Sequence, residues 1–135
     1  VNLSYGWQDG EYDSVNPAFA DFLGPELPRL APTNYSLGFS WDIRVGSGLI
    51  NVMANHSYRE GHPYDDANNQ NFEDQRRTNA SVNWFSENDA WNVALYGKNL
   101  EDEANWGNLT SIAGLWVAGP MKKGREYGLE INFRY

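Results

Sequence analysis

The residues of this chain that could hold a metal ion or transfer a proton are two histidines and a set of loop carboxylates. His62 lies in an acidic segment with Glu60, Asp65 and Asp66, and carboxylate oxygens beside an imidazole can bind a cation. Loop carboxylates are more often simply solvated. The other histidine, His56, lies in an alternating segment and fits an amphipathic side chain at an interface. The sequence therefore predicts no metal site.

No combination of residues in the sequence indicates an enzyme. The chain has no Cys, which excludes a thiolate metal site and a cysteine nucleophile. A second acidic cluster, Glu101-Asp102-Glu103, fits the polar start of a loop. Neither a Ser-His-Asp arrangement nor a Gly-rich phosphate loop is supported. The net charge of −8 argues against nucleic acid as a partner. We expect no catalytic residue and no cofactor.

The elements that must position these residues are β-strands, because apolar and polar residues alternate along most of the chain. From Tyr35 to Val45 the alternation is unbroken. That length exceeds the five or six residues common in soluble strands and suits the roughly 9–11 residues of a tilted membrane-spanning strand. Six segments alternate in this way: Val1–Gln8, Tyr35–Val45, Ile50–Arg59, Thr78–Phe85, Trp91–Tyr96 and Tyr127–Tyr135.

The connections between these strands alternate between short and long. Short turns are expected at 46–48 and 86–90, where Gly, Ser, Asn and Asp supply turn chemistry. Long loops are expected at roughly 14–32, 60–74 and 101–124. Structureless loops of that length are uncommon in soluble domains. Short turns at one end and long loops at the other are typical of an outer-membrane barrel.

The two faces of the predicted strands differ in chemistry. One face is apolar and aromatic, and the other carries Asn, Ser and Gly. Aromatic residues make up 15 % of the chain, which fits either a β-rich core or the aromatic girdles of a membrane barrel. The polar face also carries charges, which a wide, wet barrel lumen accepts more readily than a small closed core. These charged residues include Asp42, Arg44, Arg59, Lys98, Glu130 and Arg134.

Alternation alone leaves a second architecture open. In a soluble β-sandwich the aromatic face would point to the core and the polar face to water. Such a domain could bind carbohydrate through exposed tryptophans that stack on sugar rings, with Trp106 and Trp116 as the platform. A third hypothesis, a small closed outer-membrane barrel with an enzymatic site, is disfavoured because six strands are too few.

The last third of the chain resembles TonB-dependent outer-membrane receptors. The segment Trp91-Asn92-Val93-Ala94-Leu95-Tyr96-Gly97-Lys98-Asn99-Leu100-Glu101-Asp102-Glu103 is similar to the strand followed by G-x-N-L-x-D that precedes the last extracellular loop of the family. The segment from Gly124 to Tyr135 is similar to the family's closing strand, x-R-x-Y-G-L-x-x-x-Y-x-F, with Tyr135 in place of the commoner Phe. Residues 27–33 resemble the family's loop-to-strand entry.

The same closing segment resembles the assembly signal of outer-membrane proteins. That signal reads polar-x-Gly-x-x-apolar-x-apolar, and here it is matched by Glu126, Gly128, Ile131 and Phe133, with Tyr135 as the final aromatic. By this resemblance, the barrel-assembly machinery would recognise the strand by pairing it with its own open edge, an instance of β-augmentation.

The resemblance implies an all-β fold, an antiparallel up-and-down transmembrane β-barrel segment. Residues 1–135 would form the C-terminal part, about six strands of a barrel of about 22. The plug domain and the TonB box of such receptors are absent from this chain. The protein would lie in the outer membrane of a Gram-negative bacterium, with its C-terminus in the periplasm.

The implied function is TonB-energised uptake of a large nutrient such as an iron chelate. The strands would form part of the barrel wall, and the extracellular loops would help recognise the ligand. The implied partners are outer-membrane lipid, the rest of the barrel with its plug, the barrel-assembly machinery, the imported ligand, and TonB through the missing N-terminal part. The candidates for ligand contact in the loops are His62, Asp65, Asp66, Trp106 and Trp116.

Overall fold

The computed structural model describes residues 1–46, 48–104, 106–112 and 116–135. Within these ranges the chain is all-β, apart from one 3-10 turn at Ala20–Phe22. Ser47 of the first predicted turn, and residues 105 and 113–115 of the last predicted loop, lie outside the described residues. The strands are β1 Asn2–Trp7, β2 Thr33–Val45, β3 Gly48–Arg59, β4 His62–Pro63, β5 Asn71–Phe72, β6 Gln75–Ser86, β7 Trp91–Lys98, β8 Thr110–Ile112, β9 Trp116–Ala118 and β10 Glu126–Phe133.

Six of these strands form one antiparallel sheet in the order β1-β2-β3-β6-β7-β10. They correspond to the six segments of alternating sequence, so the all-β class and the six antiparallel strands are confirmed. The short strands β4, β5, β8 and β9 lie outside this sheet. Each strand of the sheet pairs with the strand of the sheet that follows it in the chain. The sheet is not closed, because among the described residues β1 and β10 each pair along one edge only.

The register of the sheet keeps the two faces separate across all six strands. One row of directly paired residues runs Trp41, Val52, Val82, Leu95 and Leu129 from β2 to β10. Because side chains alternate between faces along a strand, a slip of one residue in any pairing would have mixed the two sets. No such slip occurs, so the apolar residues form one continuous surface.

The apolar face of the sheet is uncovered. Trp41 and Leu95 are each 58 % exposed and Leu129 is 64 % exposed. Contiguous apolar patches of more than a few hundred Å² are rare on soluble monomers and mark contact with a partner or a membrane. A small cluster of buried apolar residues, Tyr64 and Phe72 with Leu109, lies away from this face.

The long loops contain short strands that the sequence did not predict. In the second loop β4 pairs with β5, and in the third β8 pairs with β9. Ladders of two or three residues are too short for alternation to reveal them. The predicted start of β6 at Thr78 was also three residues late, because the charged Arg76 stands on the apolar face and interrupts the pattern.

No helix in the described part of the chain is long and apolar enough to cross a membrane.

Candidate functional site

The three long connections lie together at one end of the sheet, because successive antiparallel strands reverse direction. We name them loop 1 (residues 8–32), loop 2 (60–74) and loop 3 (99–125). Loops 1 and 2 are joined by backbone hydrogen bonds. The N–H of Gly24 donates to the carbonyl of Asp66, and the N–H of Arg29 donates to that of Pro63, both at 2.7 Å.

Asn68 fastens loop 2 to loop 1 with its side chain. Its Oδ1 accepts a hydrogen bond from the N–H of Glu26 at 2.8 Å, and its Nδ2 donates to the Glu26 carbonyl at 2.9 Å. The backbone of Asn68 has φ of 52°, a left-handed conformation that Asn tolerates better than most residues. The side-chain amide of Asn68 thus makes both backbone hydrogen bonds of Glu26 that a neighbouring strand would otherwise make.

Loop 3 contributes apolar side chains to the same end of the molecule. Leu109 is buried against Tyr64 and Phe72 of loop 2, and Val117 packs against this cluster. The rings of Tyr64 and Phe72 meet edge to face at a centroid distance of 6.0 Å. The three loops therefore form a connected layer with its own small apolar core.

His62 lies within this layer and is only 3 % exposed. Its Nδ1 lies 2.9 Å from the carbonyl oxygen of Glu60, and its ring is tilted over Phe72 at a centroid distance of 5.0 Å. Burial is the main cause that lowers the pKa of His62, and the charge of Arg59 lowers it further. His62 thus packs as a neutral core residue, and its role in ligand contact stays a prediction.

The other predicted ligand contacts lie at the same end of the sheet but line different hollows. Asp65 and Asp66 border a hollow of about 370 Å³ beside Arg29. Asp65 also supports its own turn, because its Oδ1 accepts a hydrogen bond from the Asn69 N–H at 3.1 Å. Trp106 borders a separate hollow of about 360 Å³. Trp116 is exposed on β9.

Among the residues that the structure describes, no three His, Asp or Glu side chains are grouped so that they could hold a metal ion.

The N-L-E-D-E segment after β7 forms a tight corner at the start of loop 3, with Glu101 and Asp102 exposed. Asn99 has φ of 52° and is 2 % exposed. Its Nδ2 donates to the carbonyls of Glu103 at 2.9 Å and Lys123 at 3.3 Å, and its backbone N–H donates to Oδ1 of Asn79 at 3.0 Å. One asparagine thus ties both ends of loop 3 to the sheet.

The acidic residues of this corner replace a missing strand. β6 extends beyond the end of β7, so some of its N–H groups have no strand partner there. Glu101 accepts the N–H of Thr78 at 2.7 Å, and Glu103 accepts that of Arg76 at 2.8 Å. On the other side, Asp102 accepts the N–H of Arg125 at 2.8 Å. The sequence alone gave no sign of these roles.

Glu101 is held ionised by its neighbours. Burial disfavours the charged carboxylate, but hydrogen bonds from the hydroxyl and N–H of Thr78 outweigh burial and lower the pKa of Glu101. His56 lies 3.5 Å from the same carboxylate, and its Nδ1 lies 2.8 Å from the Thr78 hydroxyl. The corner is thereby fixed to the loop end of the apolar face.

Asp74 performs a similar task at the base of loop 2. The hydrogen bond from the N–H of Gly61, at 2.9 Å, is the main cause that lowers the pKa of Asp74, and the Tyr58 hydroxyl adds to it. Arg76 pairs with the same carboxylate at 3.7 Å. Arg76 therefore has an acidic partner although it stands on the apolar side of the sheet.

The predicted assembly signal lies on β10, the edge strand of the sheet. Ile131 and Phe133 stand on the apolar face, and Phe133 packs on Trp91 at a ring-centroid distance of 4.6 Å. Glu126 forms an ion pair with Lys123 at 3.0 Å. Tyr135 follows the strand and is fully exposed. In the described part of the chain β10 pairs only with β7, so its outer edge is free.

Gly128 of the signal has a packing role on the polar face. A Cβ at this position would overlap the ring of Tyr96, its directly paired neighbour on β7. The ammonium group of Lys98 lies 5.1 Å from the centroid of the same ring. Glycine therefore lets an aromatic ring lie flat across the edge strand.

We expect Gly128→Ala to destabilise the folded protein by about 1–3 kcal/mol, because the Tyr96 ring must leave its place. Thermal unfolding in detergent micelles, followed by circular dichroism, measures the change. A double-mutant cycle supplies the control, since in a Tyr96→Ala background the same substitution should cost little. An equal cost in both backgrounds would contradict the packing role.

Comparisons of the chain with protein-family models, with curated proteins and with solved structures found no match.

Proposed function

We propose that this chain is part of the wall and the extracellular loops of an outer-membrane barrel of the TonB-dependent receptor class. Such a receptor takes up a large nutrient, for example an iron chelate. The observation that carries the proposal is the exposed apolar face, which keeps its register through six strands. Lipid is the environment that satisfies a continuous apolar surface of this kind.

Aromatic residues border this face at both ends. At the loop end Tyr5, Tyr35 and Tyr58 are paired in one row, and the rings of Tyr35 and Tyr58 stack at 5.1 Å. At the turn end Trp91 packs on Phe133. The rows lie about 33 Å apart along the strands at 3.3 Å per residue. At a tilt of about 40° that distance is about 25 Å along the membrane normal, the height of a barrel's apolar band.

The opposite face of the sheet suits a water-filled lumen. It holds a groove of about 450 Å³ with a mixed border, in which Asn55, Asn79 and Ser81 lie beside apolar residues such as Met53. Asn79 donates to Oδ1 of Asn55 at 3.2 Å. Amide groups that bond one another and water belong on a wet surface, because burial would leave part of their capacity unused.

The two open edges of the sheet support a larger barrel. Unpaired backbone groups in lipid cost several kcal/mol each, so a sheet in a membrane must close. Further strands of the same barrel would pair with the free edges of β1 and β10. Under the proposal, that barrel also encloses the plug, and TonB acts through the plug from the periplasm. The free edge of β10, with Gly128 and its apolar neighbours, is the surface that the assembly machinery would use.

No specific observation favours the soluble sugar-binding sandwich. Within the described ranges, the strands outside the main sheet form two ladders of two or three residues each. Neither is large enough to cover the apolar face as a second sheet would.

Cysteine labelling tests the proposed orientation. This chain has no Cys, and the unsubstituted protein gives the background labelling of the rest of the barrel. A maleimide reagent attached to a polymer too large for the aqueous channel of a porin should label Asp66→Cys in loop 2 on intact cells. It should label Glu87→Cys, in the turn after β6, only after the membrane is permeabilised. Both residues are exposed, so exposure is matched.

Labelling of both variants on intact cells, or recovery of the protein in the soluble fraction, would contradict the proposal. The reverse pattern, with the turn labelled first, would place the loops in the periplasm and contradict the sidedness.

A further inference from the structure

Three cationic side chains meet at the loop end of the polar face. Arg59 ends β3, Arg77 lies on β6, and Lys122 comes from loop 3. Arg77 pairs with Ser57 and Arg59 pairs with Gln75, so the two arginines are diagonal neighbours on one face. Lys122 donates through Nζ to Oε1 of Gln75 at 3.3 Å, which brings its charge to the same place.

No carboxylate neutralises this cluster within the described part of the chain. The ion pairs there join other residues, including Arg76 to Asp74 and Arg125 to Asp102. The chain carries 18 acidic and 10 basic residues, so a group of three cations without an acid is not a result of composition. Like charges placed together destabilise the protein unless an anion joins them.

The three cations repel one another, and the repulsion acts on the ammonium group of Lys122. Burial is the main cause that lowers the pKa of Lys122, and the charges of Arg77 and Arg59 lower it further. The charge of Arg59 also adds to the lowered pKa of His62. A positive potential thus extends over this part of the polar face, and an anion entering it would relieve the repulsion.

The space between these side chains is small. A hollow of about 200 Å³ is bordered by Ser57, Arg59, Gln75, Arg77 and Lys122, and by the adjoining Tyr58 and Arg76. Pockets that enclose a whole small molecule are roughly 300–1,000 Å³. The hollow is therefore suited to one charged group of a ligand rather than to the ligand as a whole. Guanidinium groups offer paired N–H donors to an oxyanion, and an ammonium adds a point charge.

We propose that Arg59, Arg77 and Lys122 form a site for an oxyanion group, such as phosphate, sulfate or carboxylate, carried by a soluble ligand. The site lies on the face opposite the exposed apolar surface, which is why a soluble ligand is favoured over a lipid headgroup. Placing the site inside the barrel mouth rests on the proposed function, whereas the binding itself can be measured independently.

Isothermal titration of the purified protein with inorganic phosphate, at constant ionic strength in a zwitterionic detergent, tests the site. We expect saturable binding that Arg77→Gln weakens by about tenfold, the effect of losing one charge-assisted hydrogen bond. Arg77→Lys should retain most of the binding. Arg44→Gln is the matched control, because Arg44 also stands on the polar face but lies at the turn end of β2, paired with Leu49 away from the hollow, and should not affect phosphate. If Arg77→Gln fails to fold, Arg59→Gln gives the same test at the end of a strand.

Absence of saturable phosphate binding, or equal affinity in the wild type and Arg77→Gln, would overturn the site. Vesicles of phosphatidylglycerol provide the lipid arm, and binding of vesicles without binding of free phosphate would overturn the soluble source. Phosphate binding in a protein that fails the labelling test would support the site while rejecting the proposed function. Correct labelling without phosphate binding would reject the site alone.

Discussion

Val82→Arg should prevent insertion of the protein into the outer membrane, whereas Ser81→Arg, one residue earlier in β6, should permit it. The two residues stand on opposite faces. Val82 pairs with Val52 and Leu95 at the centre of the apolar surface, and Ser81 pairs with Met53 and Tyr96 on the polar side. An arginine at the bilayer midplane on the lipid face costs about 2–4 kcal/mol, whereas a lumen substitution avoids this cost.

Two measurements report insertion. The first is the fraction of each variant that urea fails to extract from outer membranes. The second is the fraction that, in an unheated sample, migrates on a denaturing gel at the position of a folded barrel. A third variant separates contact with lipid from contact with a protein core. Val82→Phe keeps the position apolar but adds volume. In a packed core that overpacking costs about 1–3 kcal/mol, whereas lipid chains accommodate the larger side chain. We therefore expect Val82→Phe to insert as the wild type does.

Insertion of Val82→Arg at the wild-type level would contradict a lipid-facing surface. Loss of folding in both arginine variants would instead indicate that both faces are covered by protein. A defect in Val82→Phe as large as in Val82→Arg would indicate that the apolar face packs against a protein partner.

The strands and their faces could be predicted because alternation is a local signal. In β2 the type of each residue from Tyr35 to Val45 indicates which face of the sheet its side chain lies on. The strand pairing agrees with that assignment at every position. Strand ends were less predictable where a charged residue, such as Arg76, stands on the apolar side. The six predicted strands therefore all exist, while their limits differ by up to three residues.

The loop contacts could not be predicted, because they join residues that are distant in sequence. Asn68 bonds Glu26 across loop 2 and loop 1, and no local pattern marks that pair. The cluster of Arg59, Arg77 and Lys122 depends on the β3–β6 register and on the return of loop 3. A sequence shows that each residue is cationic but not that the three meet.

The G-x-N-L-x-D segment shows the difference between detecting a motif and explaining it. Its resemblance to a receptor family was visible in the sequence. Its physical role was not, because the partners of Glu101 and Glu103 are backbone groups of β6. Any residue other than proline, which has no N–H, could supply these backbone donors at positions 76 and 78. The identity of the partner residues therefore does not reveal the contact.

Asn99→Ala should destabilise the folded protein by about 2–6 kcal/mol, from two sources that add. The left-handed backbone at φ of 52° costs alanine more than asparagine, in the range of about 1–3 kcal/mol for strained conformations. Loss of the amide also leaves the carbonyls of Glu103 and Lys123 without this donor, at about 1–3 kcal/mol for a group that stays buried.

Asn99→Gly separates these two sources, because glycine adopts positive φ freely but lacks the amide. We expect it to lose the side-chain contribution only and to be more stable than the alanine variant by about 1 kcal/mol. Thermal unfolding in micelles measures stability, and limited trypsin digestion at Lys122, Lys123 and Arg125 reports release of loop 3. Digestion there should be faster in both variants.

Asn68→Ala is the matched control for position. Asn68 has the same φ of 52° and also donates to backbone carbonyls, but it is only half-buried, so water can replace its lost bonds. Its substitution should therefore cost less than that of Asn99 and should leave digestion of loop 3 unchanged. If the two alanine variants were equally stable, burial of the corner would contribute nothing. If Asn99→Gly matched the wild type, the side-chain amide of Asn99 would not be what holds the two ends of loop 3 together.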